Sequence, residues 1–119
     1  MRRRDFDRCV RAAVDSLPPE FMQYLDNVLI TVQDEPDPEL LEETDSDSLL
    51  GIYLGVPLTE RSLDAPYELP DQIILFQGPL EDFCETEEEL IEEIRVTVVH
   101  EVGHFFGLDE DEIVAILGE

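Results

Sequence analysis

The spacing of apolar positions along this chain changes several times, and each change marks a structural element. Phe6, Val10, Ala13, Val14 and Leu17 recur three or four residues apart, which predicts an amphipathic helix stopped by Pro18-Pro19. A short helix over about Glu20 to Leu25 follows. Val28, Ile30 and Val32 then alternate with Leu29, Thr31 and Gln33, the period-two pattern of a strand. Gly51-Ile52-Tyr53-Leu54 and Gln72-Ile73-Ile74-Leu75-Phe76 are two more strand candidates. Between the first and second strands, Asp34 to Ser48 holds eight acidic residues, two prolines and no base, so it reads as an exposed acidic loop with at most one helical turn at Leu40-Leu41. Val56 to Pro70 has the Pro and Gly punctuation of an ordered loop.

The C-terminal third is the best-specified stretch. Thr86 and Glu89 have the spacing of a capping box, and Glu87-Glu88-Glu89 suits the positive end of a helix dipole. Leu90, Ile94 and Val98 form one apolar stripe, while Glu93, Thr97, His100 and His104 stack on another face. Gly107 stands where a helix end takes a left-handed residue, and Asp109 can cap a last helix whose Ile113, Ile116 and Leu117 return to the core. Helical and strand patterns are segregated rather than strictly alternating, which predicts an α+β domain.

Composition narrows the picture. A chain of 119 residues suits a single domain, residues 1–119, with one modest core, and its hydrophobic fraction of 43% is ordinary for a globular protein. It has no apolar run long enough for a membrane span. Met1-Arg2-Arg3-Arg4 resembles the start of a leader, but neither an apolar stretch nor a small-residue cleavage site follows, so a cytoplasmic location is expected. Cys9 and Cys84 are too few for a disulfide framework and are expected as reduced thiols, Cys9 in the core.

The net charge of -24 is extreme; none of the seven basic residues is lysine, and five are arginines in the first eleven positions. Such a surface keeps a small protein soluble and monomeric, and it can also steer cationic peptides or a basic partner. Nucleic acid is disfavoured as a partner, because phosphate binding relies on Lys and Arg to displace counterions.

The chemistry lies in His100-Glu101-Val102-Gly103-His104-Phe105-Phe106-Gly107, an H-E-x-x-H-x-x-G string containing the only two histidines of the chain. Residues four apart share a helix face, so two imidazoles can meet one metal ion, with Glu101 beside them to take a proton from water. This is the pattern of a zinc-hydrolase site. Two histidines and a carboxylate also suit iron, manganese or nickel, and zinc is chosen from the motif. A catalytic zinc keeps three protein ligands and an open position. Only fifteen residues follow His104, which leaves Asp109-Glu110-Asp111-Glu112 or an upstream residue for the third ligand. The extended pattern places it at Glu110, with Asp109 as the rival.

The chain resembles a known family, the small bacterial zincin-like proteins described as zinc metallopeptidases. The resemblance runs through Leu17-Pro18-Pro19-Glu20-Phe21, Leu25-Asp26-Asn27-Val28, Gly51 to Ser62, Leu69-Pro70-Asp71-Gln72-Ile73 and Thr97 to Leu108. It implies a minimal zincin fold, a small twisted and mostly antiparallel sheet packed on helices, with one zinc ion on the H-E-x-x-H helix. The family's third-ligand position usually carries Asp, whereas this chain has Glu110, one methylene longer. The implied activity is peptide hydrolysis, with His100, His104 and Glu110 holding the metal and Glu101 acting as general base. By analogy with other zincins the peptide would lie along an edge strand, with Gln72 to Phe76 expected as that edge. Tyr53 and Arg61, in the matching segment, are candidates for stabilising the oxyanion, against packing and a structural salt bridge as their alternatives. Two further readings stay open at this point. One is a zincin-like shell that binds metal in a regulatory or structural role; the other is a metal-dependent nuclease, which the charge argues against.

Overall fold

The computed structural model describes residues 1–44, 49–55 and 70–118. Two helices carry most of the core. α1 (Arg3–Asp15) buries Phe6, Cys9, Val10 and Ala13, the positions its spacing predicts. α5 (Glu87–Phe105) buries Leu90, Ile94 and Val98 from its predicted stripe, and also Thr97, Val99, Val102 and Gly103. These faces meet in one cluster with Leu17, Phe21, Ile73, Leu75, Leu80, Ile113 and Leu117. Each large side chain so buried contributes roughly 1.5–3 kcal/mol relative to exposure. Cys9 lies in this cluster, and both cysteines are free thiols.

α1 ends before Pro18, and α2 (Pro19–Met22) runs into a 3-10 turn at Gln23–Leu25. β1 (Val28–Gln33) follows as predicted, and α3 (Pro38–Glu43) puts six helical residues where one turn was expected. β2 (Gly51–Leu54) and β3 (Asp71–Phe76) complete a three-stranded sheet of order β1-β3-β2. β1 pairs with β3 in parallel, Ile30 opposite Ile73, and β2 pairs with β3 antiparallel, Ile52 opposite Ile74. The sheet is therefore mixed, one ladder of each kind, rather than mostly antiparallel.

Strand order corrects one expectation. Gln72 to Phe76 is not an edge: β3 lies between β1 and β2, which are the outer strands among the described residues. Ile73, Ile74, Leu75 and Phe76 are all buried. An unbroken apolar run of this kind is what a strand covered on both faces requires, whereas an edge would alternate. α4 (Gln77–Phe83) follows β3 directly and has no counterpart among the elements expected from sequence. Gly78-Pro79 looks like a turn, yet a proline in the first turn of a helix gives up an N–H that has no intrahelical partner.

Backbone proximity sets β2 against the long helix. At Gly51 a Cβ would stand 2.9 Å from the Thr97 methyl and 3.0 Å from the Ile74 carbonyl oxygen, so only glycine lets this strand lie so close to α5. At the far end of α5, Gly107 has φ 83. Its N–H donates to the His104 carbonyl at 3.1 Å and the Leu108 N–H donates to the Gly103 carbonyl at 2.9 Å. These two bonds make a Schellman motif, which ends α5 and turns the chain back. α6 (Glu110–Leu117) then starts from Asp109, whose carboxylate accepts from the Glu112 N–H in a capping box. Ile113 and Leu117 return to the core as predicted, with Ile116 half-buried against it.

Candidate metal centre

The reversal at Gly107 decides what the two histidines face. His100 and His104, one turn apart on α5, have ring centroids 5.6 Å apart. Glu110, the first residue of α6, comes back onto both of them. One carboxylate oxygen accepts from His104 Nε2 at 3.0 Å, and the other lies 3.5 Å from His100 Nε2. A carbonyl can only accept, so the 3.0 Å contact between His100 Nδ1 and the Val96 carbonyl puts a proton on Nδ1 and turns Nε2 toward Glu110. The His104 hydrogen bond holds the Glu110 carboxyl below the ordinary carboxylate range.

Glu101 occupies different surroundings on the same turn. It is half-buried, and desolvation pushes its pKa up, opposed by His104, by a hydrogen bond from the Tyr53 backbone N–H and by His100. Two carboxylates next to the same imidazoles are thus biased in opposite directions. One is suited to stay ionised and the other to take up a proton.

β2 supplies the second wall. The Tyr53 hydroxyl donates to Asp71 at 2.7 Å, and its ring stacks on Phe105 with centroids 4.1 Å apart. Phe106 meets Tyr53 edge-on at 6.1 Å and Tyr24 at 5.2 Å. Tyr53 therefore ties the strand to Glu101 through its backbone and to buried Asp71 through its side chain. Arg61, the other oxyanion candidate, lies outside the described residues. Asp71 and the exposed rings of Phe105 and Phe106 were not singled out from sequence as functional. The motif marks the two phenylalanines only as apolar neighbours, and nothing in the sequence announces a partner for Asp71.

The donor set fits zinc in kind. Two neutral imidazole nitrogens and one carboxylate are a common catalytic ligand set, and ligands at about 2.1 Å in a tetrahedral shell stand roughly 3.4 Å from one another. The two nitrogen–oxygen separations, 3.0 and 3.5 Å, are close to that spacing. Among the described residues, however, no group of three His, Cys, Asp or Glu forms a ready metal-holding set. His100, His104 and Glu110 meet instead by direct contact. Asp109, the rival third ligand, has its carboxylate in the cap of α6.

The fold and this site define a class. The chain belongs to the zincin-like metallopeptidases, whose family model matches residues 25–118. No curated relative matches it. Among solved structures it is similar to a conserved hypothetical protein from Thermo thermophilus, at 20% identity and a TM-score of 0.54, covering 87% of this chain and 92% of that one. At that identity the likeness is one of fold. Zinc binding and peptide substrates are general to such a family. Among the described residues no helix is long and apolar enough to cross a membrane.

Proposed function

We propose that this protein is a zinc-dependent peptidase whose metal ligands are His100, His104 and Glu110 and whose general base is Glu101. The observation that carries the proposal is the Glu110 carboxylate set across both imidazoles, 3.0 Å from one and 3.5 Å from the other, beside a Glu101 of opposite acid–base bias. Zinc, when bound, supplies a Lewis acid that acidifies water and polarises a carbonyl. The chain's own residues do the rest. His100 is oriented by Val96, Glu110 is delivered by the α6 cap, and Glu101 takes a proton from the attacking water and returns it to the leaving amine.

Among the described residues the strand edge next to this chemistry is β2, so the extended peptide is assigned to β2 rather than to β3. Tyr53 enters as a positioning residue: it ties β2 to Glu101 and Asp71. A single-domain organisation and a cytoplasmic site of action complete the proposal.

Zinc titration with peptide-cleavage assays tests it. Wild type is expected to take up one zinc and to hydrolyse peptides. His104→Ala and Glu110→Ala should lose the metal, and Glu101→Gln should keep it while losing hydrolysis. If Glu110→Ala binds zinc as tightly as wild type, the ligand assignment is wrong. If zinc-loaded wild type cleaves nothing in a broad peptide library, the peptidase reading gives way to a metal-binding role without hydrolysis.

A further inference from the structure

The end of the motif helix carries apolar surface that the proposed hydrolysis does not use. Phe105 is 51% exposed and Phe106 44%. These residues are close together. Phe105 stacks on Tyr53 at 4.1 Å and meets Phe106 at 5.2 Å. A Cβ at Gly55 would stand 2.8 Å from the Phe105 ring, so β2 and this ring are in tight contact. The platform is held firmly, because Tyr53 is bonded to Asp71 through its hydroxyl and to Glu101 through its backbone. Exposed aromatic groups fixed in one arrangement are the kind of surface that binds a partner side chain at little ordering cost.

We infer that Phe105 and Phe106 form a subsite for a bulky apolar or aromatic side chain of a basic peptide. The inference rests on the peptidase reading and names its substrate class. The Tyr53 N–H that bonds Glu101 and the Tyr53 ring that supports Phe105 belong to one residue. The platform and Glu101 thus share one residue of β2, so a single extended peptide along that strand can reach both. The basic character follows from charge. Beyond Gly107 the chain presents Asp109, Asp111 and Glu112, all exposed, besides the Glu110 assigned to the metal, in a protein of net charge -24. Such a field attracts Lys and Arg in a peptide and repels Asp and Glu.

The test is equilibrium binding of labelled hexapeptides to zinc-supplied Glu101→Gln protein, read by fluorescence anisotropy, so that no cleavage intrudes. A peptide with one Phe flanked by lysines is compared with its Phe→Ala and Lys→Glu counterparts. Losing the Phe should weaken binding on the order of tenfold, the scale of one large apolar side chain taken out of water. Adding Phe105→Ala to the protein should shrink that preference to within about twofold. Phe106→Ala is the second variant and should reduce the same preference, which keeps the test decisive if Phe105→Ala lowers the melting temperature by more than a few degrees. The Lys→Glu peptide should bind more weakly, by a margin that narrows in high salt. A Phe preference that survives both protein variants, or no peptide binding at all, overturns the subsite. Cleavage by wild type separates the two ideas. Hydrolysis without any Phe preference keeps the peptidase and removes the subsite. A Phe preference that depends on Phe105, with no hydrolysis by wild type, does the reverse.

Discussion

Asp109 and Glu110 are adjacent carboxylates put to different use. Asp109 caps α6 and exchanges hydrogen bonds with Glu112, whereas Glu110 points at the histidines. Asp109→Ala should therefore lower stability by about 1 kcal/mol, the usual loss for an N-cap, and leave zinc affinity within a few-fold of wild type. Glu110→Ala should do the opposite. Urea unfolding and zinc titration of both variants read the two effects separately, and equal zinc losses would mean that both carboxylates are ligands. Glu93, on the histidine face of α5, gives a second residue-scale test. Burial, and then the charge of Glu92, push its carboxyl above the ordinary range. A carboxylate raised by folding disfavours the folded state once ionised, so its contribution to stability is largest at low pH and is lost as pH rises through the raised value. Glu93→Gln should accordingly raise the melting temperature at neutral pH, and the gain should fade on acidification below about pH 4. A gain that is the same at both pH values would rule out titration as its cause.

The elements were legible where local chemistry and periodicity agree. Thr86 does cap α5, accepting from the Glu89 N–H at 3.1 Å, and Gly107 does take the left-handed conformation. Both are short-range events decided by residues within one turn. α4 was not legible, because Gly78-Pro79 carries the signal of a turn and also fits the first turn of a helix. The central place of β3 could have been read from its unbroken apolar run. Its neighbours could not, since strand pairing joins residues about 20 to 40 positions apart. The Gly107 motif is the element on which the site depends most. Gly107→Ala puts a Cβ into a left-handed turn, at a cost of roughly 1–2 kcal/mol. It should weaken zinc binding as well, because this reversal brings Glu110 back to the histidines. Zinc affinity unchanged in a destabilised Gly107→Ala protein would show that Glu110 finds its place without the motif.

At the scale of the whole molecule, charge reaches further than any local contact. Seven arginines face 31 carboxylates. Some arginines are engaged locally: Arg3 pairs with Asp34 and donates to the Val32 carbonyl and to Gln77, and Arg8 pairs with Asp5. The remaining excess is repulsive, and repulsion among exposed carboxylates is long-ranged only while salt is dilute. Raising sodium chloride from about 10 mM to about 0.5 M shortens the screening length from about 30 Å to a few Å. The melting temperature should rise across that range, as followed by circular dichroism. A flat or falling profile would mean that the carboxylates are spaced widely enough for their repulsion not to matter.

Taken alone, the sequence determined what depends on neighbours in the chain: the helical pair His100 and His104, the carboxylate of Glu101 beside them, the caps at Thr86 and Asp109, the turn at Gly107 and the acidic surface. Helix period and capping are set within a few residues, so they survive without knowledge of the fold. Tertiary structure decided the rest. Among the described residues it placed β2 rather than β3 at the edge beside Glu101, joined Tyr53 to Asp71, left Phe105 and Phe106 exposed against Tyr53, and brought Glu110 rather than Asp109 to the imidazoles. These outcomes depend on which surfaces are covered by distant parts of the chain. Desolvation and packing act through space, and one sequence read alone does not say which residues will share that space.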